Sequence, residues 1–336
     1  MSRIPFDIMK KEIKRVFLSV GMTDKKADIC AQIHSESSRD GVPSHGLNRV
    51  SRFVEYAKRG LVDVNAEPTF IKSFGSFENY DGNLGPGILN AIFSMDRAIA
   101  IAKVQGIGIV SLKNTTHWMR GGTYGWQAAD NGFIGICWTN TESCMPAWGA
   151  KNNRVGNNPF VIAIPRKNGQ HVVLDMAMSQ YSYGKLQVTR LKNEQLPYPG
   201  GFDNNGNLTS EPGLIEESKR ILPMGYWKGS GFAIVLDFVV ALLSGGLSTA
   251  GIDRLKMGSC GGCGQIFMAI DPYKIISENI AETLLDEAVE HLKTSEPVAE
   301  DGKVTYPGER TFKTRKENIE KGIPVDDGVW NEVLDL

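Results

Sequence analysis

Cysteine is scarce in this sequence, and its pattern does not suggest a disulfide framework. There are five cysteines in 336 residues, an odd number, and no secretory signal accompanies them. We therefore expect reduced thiols. Cys260 and Cys263 form a C-x-x-C, but a zinc site needs a second ligand pair, and no matching CxxC or HxxxH occurs. We expect a glycine-rich turn there and no metal.

Long apolar runs and long basic runs are also missing. The longest apolar stretch, Phe232 to Leu243, is short for a membrane span and contains Asp237. The first residues carry charges at helical spacing, unlike a secretory signal. A formal net charge of −1 disfavours nucleic-acid binding as the main role. We expect a cytoplasmic protein with neither nucleic-acid nor membrane partners.

Common nucleotide-binding signatures are absent as well. No G-x-G-x-x-G lies between a predicted strand and helix, and there is no P-loop and no G-x-S-x-G elbow. The segment KGSGF, 228–232, places two glycines before an apolar helix. Its backbone amides could bind a phosphate, and close backbone packing is an equally good explanation.

Short apolar runs alternate with helical patterns after about residue 78. Turn residues flank the predicted strands, which are 106–114, 133–140, 159–165, 171–177 and 265–272. The predicted helices are 7–20, 23–41, 44–60, 88–104 and 122–130, several of them ending at glycine. This alternation predicts a layered α/β fold. We divide the chain into an α/β domain, 76–247, and a helical domain formed by 1–75 with 248–336.

The stretch SHGLNR, 44–49, opens the third predicted helix. Ser44 suits the N-cap, while His45 and Arg49 share a face with Arg52, apart from the apolar face. The positive helix end lowers the pKa of His45, and Arg49 offers a planar fork for a carboxylate. A bound carboxylate would offset the dipole and make His45 a proton donor near neutral pH. A solvated basic face with a capping histidine is the alternative.

A second candidate segment, NTTHWMRGGTYGW at 114–126, follows a predicted strand end, where α/β proteins place their sites. Its His117 and Arg120 are candidates, with a buried histidine in a glycine-rich turn as the alternative. Glu309 and Arg310 lie in a predicted loop and are candidates too, with an exposed ion pair as the alternative. Surface or packing roles are expected for the remaining histidines, which are His34, His171 and His291.

Seven short motifs in register resemble the malate/L-lactate dehydrogenase family, which lacks a Rossmann fold. They are SHGLNR (44–49), THW (116–118), GNNP (156–159), DMAMS (175–179), GK (184–185), LPMGYWKGSG (222–231) and PGE (307–309). The resemblance implies a homodimer, a non-Rossmann α/β cofactor domain with a mixed sheet, and NADH as cofactor, with NADPH as the second choice. Segments 117–140 and 221–231 are similar to a branch that reduces the C2 carbonyl of a diketo sugar acid. Malate, L-lactate or another 2-oxo acid is the alternative substrate.

Position by position, the resemblance also implies site residues. His45 takes the place of the proton donor. Beyond the resemblance, the residue types predict that Arg49, with His117 or Arg120, holds the substrate carboxylate and that Ser44 orients His45 or the substrate. The implied cofactor contacts fall on three segments, which are His171, Val172, Val173, Leu174, Asp175, Met176 and Ala177, then Trp227 and Lys228, then Gly308, Glu309 and Arg310.

Overall fold

The computed structural model describes residues 2–258, 261–299 and 301–336. Its α-helices are α1 (Phe6–Ser19), α2 (Asp24–Arg39), α3 (Val50–Lys58), α4 (Gly87–Gln105), α5 (Gly122–Asp130), α6 (Tyr183–Leu191), α7 (Pro212–Ser218), α8 (Trp227–Ser244), α9 (Thr249–Leu255), α10 (Glu278–Lys293), α11 (Glu309–Lys321) and α12 (Asp327–Asp335). Its strands are β1 (Arg3–Ile4), β2 (Thr69–Phe74), β3 (Phe77–Asp81), β4 (Ile107–Thr116), β5 (Ile134–Thr139), β6 (Met145–Pro146), β7 (Asn153–Val155), β8 (Phe160–Ile164), β9 (Val172–Met176), β10 (Gly201–Phe202), β11 (Leu208–Thr209), β12 (Gly261–Ile270) and β13 (Ile323–Pro324).

A mixed sheet of seven strands lies at the centre of the molecule, in the order β2-β3-β4-β12-β5-β8-β9. Strands β3 and β4 run parallel and are joined through α4, as a parallel pair requires a crossover connection. The other neighbouring pairs are antiparallel. The predicted α/β fold with a mixed sheet is confirmed, and each predicted strand forms within a few residues of its expected bounds.

Helices cover both faces of this sheet. On one face α4 and α5 share a core with β4 and β12, in which Ala98, Val110 and Phe267 are fully buried. On the other face α8 contributes Val240 against Ile266. A Cβ at Gly108 would lie 2.0 Å from the carbonyl oxygen of Ala98, so glycine lets α4 approach β4 closely. The sheet is thus the middle of three layers.

The N-terminal and C-terminal segments pack together, as predicted. Helices α1, α2, α3 and α12 share a core that includes Met9, Phe17 and Val333, and β1 pairs with β13. Two strands of the central sheet, β2 and β12, also come from the segments assigned to the helical domain. The domain boundaries themselves stay a prediction, with these two strands added to the sheet.

The third predicted helix begins later than expected. Pro43–His45 and Leu47–Arg49 form two short 3-10 helices, and α3 starts only at Val50. Gly46, between them, has φ −120° and ψ −118°, far from helical values. A Cβ on Gly46 would lie 2.3 Å from Ser38 Oγ, so close packing on α2 sets this backbone. The prediction that Ser44 is a helix N-cap is therefore wrong.

The apolar run near residue 232 belongs to a longer helix than predicted. Helix α8 has 18 residues and, among the described residues, is the one helix long and apolar enough to cross a membrane by length and composition. The apolar stretch 232–243 is shorter than this helix because residues 227–231 are already helical. The buried carboxylate of Asp237 accepts hydrogen bonds from Asn140 Nδ2 at 2.8 Å and from Thr249 N at 2.9 Å. One side of α8 is therefore fixed against the sheet.

Candidate active site

The two 3-10 turns bring Ser44, His45 and Arg49 together. Ser44 Oγ lies 3.1 Å from His45 Nδ1, and Arg49 Nε donates to the Ser44 carbonyl oxygen at 3.1 Å. The guanidinium groups of Arg49 and Arg52 line a small cavity that His117 also borders. The structure thus gathers the four predicted catalytic residues at one place, although by turns rather than by an α-helical stripe.

His117 faces His45 with a defined tautomer. The two rings are stacked, with centroids 5.9 Å apart and an angle of 27° between their planes. The backbone N–H of Met119 donates to His117 Nδ1 at 3.0 Å, so a neutral His117 carries its proton on Nε2. Burial and the charge of Arg49 keep the pKa of His117 well below its ordinary value. His117 is therefore a neutral N–H donor beside His45.

The pKa of His45 is low, as the sequence predicted, but for another reason. Burial, together with the positive charges of Arg49 and Arg120, lowers the pKa of His45 to about 4. The predicted cause was the positive end of an α-helix, and α3 begins five residues later. An anion bound to Arg49 would cancel part of this repulsion and raise the pKa of His45.

Helix α2 holds the turn that carries His45. His34, only 1% exposed, donates from Nδ1 to the Gly46 carbonyl oxygen at 2.9 Å, and Ser38 Oγ accepts from Leu47 N at 2.9 Å. Burial lowers the pKa of His34 to about 4, which keeps this ring neutral. The packing role predicted for His34 is confirmed. The residue that His34 contacts, Gly46, directly follows the proposed proton donor, His45.

A buried ion cluster, which the sequence did not reveal, lies next to these residues. Asp40 is 4% exposed and accepts hydrogen bonds from Arg120 Nη1 at 2.7 Å, Arg315 Nη2 at 2.6 Å and Arg39 Nε at 2.9 Å. Burial raises the pKa of Asp40, but the hydrogen bond from Arg315 and the charge of Arg120 outweigh it, and the net pKa is lowered. The cluster joins α2, the segment before α5, and α11.

Two of the three predicted cofactor segments touch each other. Strand β9 is an edge of the sheet, so alternate backbone groups point away from β8. One of these, Val173 N–H, donates to the Pro307 carbonyl oxygen at 2.9 Å. Gly308 has φ +94°, and a Cβ there would lie 3.0 Å from the His171 carbonyl oxygen.

The third segment, at the start of α8, follows Met224, whose N–H donates to Met178 O at 2.8 Å.

Some of the predicted cofactor residues have their side chains occupied. Both ring nitrogens of His171 are bonded, Nδ1 to Arg166 N and Nε2 to Asp130 Oδ1, each at 2.9 Å. A ligand at this strand would therefore bind the backbone of β9 and not the His171 ring. The alternative of an exposed ion pair between Glu309 and Arg310 is wrong. Glu309 is buried and pairs with Lys293 and Lys313 because α11 begins at Glu309 and brings Lys313 one turn away.

The groups left over fit a dinucleotide. The side chains of Lys228 and Arg310 are exposed and have no ion pair among the described residues. The amides of 228–230 already donate to preceding carbonyls, so of the two interpretations of this segment close backbone packing applies to the amides, and a phosphate would depend on the Lys228 ammonium. On β9, Val172, Leu174 and Met176 are half-buried, and the adjacent Ala177 is too. The exposed cations suit phosphate groups, and the apolar side chains and strand edge of β9 suit a planar ring. Together they are compatible with a nicotinamide dinucleotide.

Asp175 connects the strand edge to the start of α5. Its carboxylate accepts a hydrogen bond from Gly122 N at 2.8 Å. Desolvation by the surrounding protein raises the pKa of Asp175, while Arg120 and the Gly122 amide oppose that shift. Arg120 acts electrostatically on His45 as well. Arg120 therefore links the charges of His45 and Asp175, which belong to the predicted catalytic and cofactor segments.

No group of three or more potential metal ligands occurs within the described ranges. Among the described residues, Cys30, Cys137 and Cys144 are free cysteines. Cys260, the first cysteine of the C-x-x-C, lies outside the described residues, so the turn predicted at this motif stays a prediction.

Comparison with known proteins gives concordant matches along the chain. The profile described as malate/L-lactate dehydrogenase matches residues 4–334. The 2,3-diketo-L-gulonate reductase of Citrobacter koseri is 44% identical over 334 residues, 99% of this chain and 100% of the relative. Malate dehydrogenase from Pyrococcus horikoshii has a TM-score of 0.89 at 28% identity, covering 99% of this chain and 95% of that one. Sulfolactate dehydrogenase from Methanocaldococcus jannaschii has a TM-score of 0.86 at 28% identity, with the same coverage.

Proposed function

Because the chain belongs to the malate/L-lactate dehydrogenase family, we propose that it reduces the C2 carbonyl of 2,3-diketo-L-gulonate to 3-keto-L-gulonate with NADH. The observation that carries this proposal is the stacking of His45 on His117, which lines one cavity together with Arg49. The name of the Citrobacter koseri relative supports the choice of substrate. Malate, L-lactate or another 2-oxo or 2-hydroxy acid is the second candidate, and the cytoplasm is the proposed location.

Arg49 binds the substrate carboxylate in this proposal. Its guanidinium is oriented by the Ser44 carbonyl oxygen, and a planar fork suits a carboxylate. Neutralising Arg49 removes one of the charges that lower the pKa of His45. His45 therefore takes up a proton as the substrate binds. Its imidazolium then gives that proton to the C2 oxygen as negative charge develops there.

Two neighbours orient this transfer. Ser44 Oγ lies against His45 Nδ1, which leaves Nε2 of His45 to face the substrate. His117, with its proton on Nε2, donates a hydrogen bond to a substrate oxygen without changing charge. Because the ring of His117 stacks beside that of His45, both can reach adjacent oxygens of a dicarbonyl compound. Positioning of this kind contributes to the rate alongside the acid.

The cofactor is held, in the same proposal, by the three segments described above. They are the strand edge 171–177, Trp227 with Lys228, and Gly308 with Glu309 and Arg310. Lys228 and Arg310 bind phosphate oxygens, and the backbone of β9 binds polar groups of the dinucleotide. The reduced nicotinamide supplies the hydride that C2 receives. NADH is the proposed cofactor and NADPH the second candidate.

A direct assay tests the substrate and the cofactor together. Purified protein is mixed with NADH, and nicotinamide absorbance is followed after adding 2,3-diketo-L-gulonate, pyruvate or oxaloacetate. We expect fast oxidation with the diketo sugar acid and slow oxidation with the other two. Faster oxidation with the simpler acids would move the second candidate forward. No oxidation with any of them, repeated with NADPH, would refute the proposed activity.

We also propose a homodimer, because large apolar side chains are exposed on α8 and on the edge strand β2. On α8, Val235, Phe238 and Leu242 are 55%, 58% and 81% exposed, and on edge strand β2 Phe70 and Phe74 are 58% and 63% exposed. Surfaces of this kind mark association sites in soluble proteins. We expect Leu242→Arg to shift the mass measured by light scattering from dimer to monomer. A monomeric wild-type protein at micromolar concentration would contradict the proposal.

A further inference from the structure

An acidic side chain without an ion pair lies on the loop between β5 and β6. Glu142 is half-buried, and its carboxylate is hydrogen-bonded to its own backbone N–H. No cation pairs with it among the residues that the structure describes. A carboxylate can accept about four hydrogen bonds. When the group is partly desolvated, each acceptor position that has no donor costs free energy. Such a group is suited to a ligand that donates hydrogen bonds.

The loop that carries Glu142 is firmly anchored on both sides. Ser143 donates twice to the carboxylate of Asp253, from its N–H at 2.9 Å and from Oγ at 2.7 Å. The preceding residue, Thr141, donates from its N–H to Asn158 Oδ1 at 3.0 Å. The backbone of Glu142 is thus fixed between two hydrogen-bonded neighbours, and little ordering is required when a ligand binds.

Contacts through α6 place this loop next to the catalytic turn. Tyr183 Oη donates to the Cys144 carbonyl oxygen at 3.1 Å. The next residue, Gly184, lies against the turn, since a Cβ there would be 3.4 Å from Ser44 Cβ. Ser44 in turn contacts His45 and Arg49. The Glu142 loop therefore borders the region where the substrate carboxylate and carbonyl would lie.

The charges around Glu142 agree with this placement. Desolvation and the nearby Asp253 raise the pKa of Glu142, while the positive charges of Arg49 and Arg52 oppose that shift. These two arginines line the cavity beside His117. The site therefore combines the cations Arg49 and Arg52 with the nearby carboxylate of Glu142, and groups of opposite charge can distinguish the two ends of a substrate.

We propose that Glu142 is a specificity-determining residue that accepts hydrogen bonds from hydroxyl groups on the part of the substrate beyond its reacting carbonyl. The inference rests on the proposed function and narrows its substrate class to polyhydroxylated 2-oxo monocarboxylates. Hydroxyl donors supply the partners that Glu142 lacks in the protein. A second substrate carboxylate, as in oxaloacetate, is repelled by Glu142. Pyruvate has neither hydroxyl groups nor a second carboxylate, so Glu142 does not change its kcat/KM.

The test compares kcat/KM for three substrates in the wild-type protein and in Glu142→Gln. Glutamine keeps the shape and removes the charge. We expect kcat/KM for 2,3-diketo-L-gulonate to fall about tenfold, since hydrogen bonds to charged groups contribute about 1.5–3 kcal/mol. For oxaloacetate we expect a rise of about tenfold, and for pyruvate a change of less than about twofold. Glu194→Gln, on an exposed loop outside the site, is the matched control and leaves all three values unchanged.

The outcomes separate this inference from the function on which it rests. Equal changes for all three substrates in Glu142→Gln would make Glu142 a structural residue and overturn the inference while keeping the reductase. Wild-type activity on pyruvate or oxaloacetate alone would also retain the dehydrogenase and overturn the inference. Wild-type protein that reduces none of the three would overturn both.

Discussion

His45→Gln is expected to lose about 10²–10⁴-fold in turnover and to bind NADH as tightly as the wild-type protein. Glutamine fills a similar volume and can hydrogen-bond the C2 oxygen, but it cannot deliver a proton. The proposed cofactor segments lie on β9, α8 and α11, and among the described residues no hydrogen bond joins them to the turn of His45. Single-turnover kinetics measures the loss, and quenching of tryptophan fluorescence by NADH measures binding.

The pH dependence of the same variant gives a second readout. In the free protein, burial and the charges of Arg49 and Arg120 lower the pKa of His45 to about 4, so the ring is neutral at pH 7. The productive complex then requires a proton from solution, and kcat/KM reports ionisations of the free enzyme. We expect wild-type kcat/KM to rise about tenfold for each unit that the pH falls between about pH 8 and pH 6. The slope disappears in His45→Gln.

The control for both measurements is His291→Gln. His291 lies on the exposed side of α10, away from the cavity, and its replacement leaves turnover and pH profile unchanged. If His45→Gln kept wild-type turnover, the proton would have to come from elsewhere, and His117 or solvent would take the role of donor.

Asp40→Ala is expected to lower the free energy of unfolding by about 3–5 kcal/mol. The substitution leaves Arg120 and Arg315 without their shared carboxylate, and Arg120 is only 6% exposed. A buried cation without a partner costs far more than an exposed ion pair contributes. Urea unfolding followed by circular dichroism measures the change.

Acid unfolding of the wild-type protein tests the same interaction. The pKa of Asp40 is lowered in the folded state, so its contribution is complete above the ordinary carboxyl pKa of 3.8 and is lost as the pH falls through the folded value. Asp40→Ala therefore shows a weaker loss of stability in that acidic range. Glu55→Ala, which breaks the exposed pair of Glu55 with Arg59, is the matched control and changes stability by less than about 0.5 kcal/mol. A loss below about 1 kcal/mol in Asp40→Ala would contradict the buried-cluster argument.

Much of the fold follows from local sequence patterns. Runs such as 159–165 and 171–177 predict strands because buried strands are short, apolar and bounded by turn residues. Helices α4 and α5 are predicted because glycine ends their apolar periodicity. The His45–Arg49 pair is predicted because its residue types suit a carboxylate and a proton donor. The family motifs also predict His117 as a site residue. The sequence around His117 does not by itself distinguish a functional site from a buried packing role.

The remaining features depend on contacts that no local pattern encodes. Asp40 and Arg315 are 275 residues apart, and only the folded chain brings them together. The break of the third helix at Gly46 arises from packing against Ser38, which overrides the helical spacing of 44–60. Glu142 resembles any loop glutamate in the sequence, and its neighbours come from α6 and α9. Tertiary contacts decide each of these features.

The central position of β12 has a consequence for synthesis of the chain. Strand β12 pairs with β4 on one side and β5 on the other, so each of these strands lacks one of its two neighbours until 261–270 has left the ribosome. At elongation rates of about 5–20 residues per second this delay after β5 is on the order of 10 s. During that time β4 and β5 present open, apolar edges, which invite pairing with other chains. Proteins truncated before β12 are therefore prone to aggregate, and chaperone capture of nascent chains would concentrate in this interval.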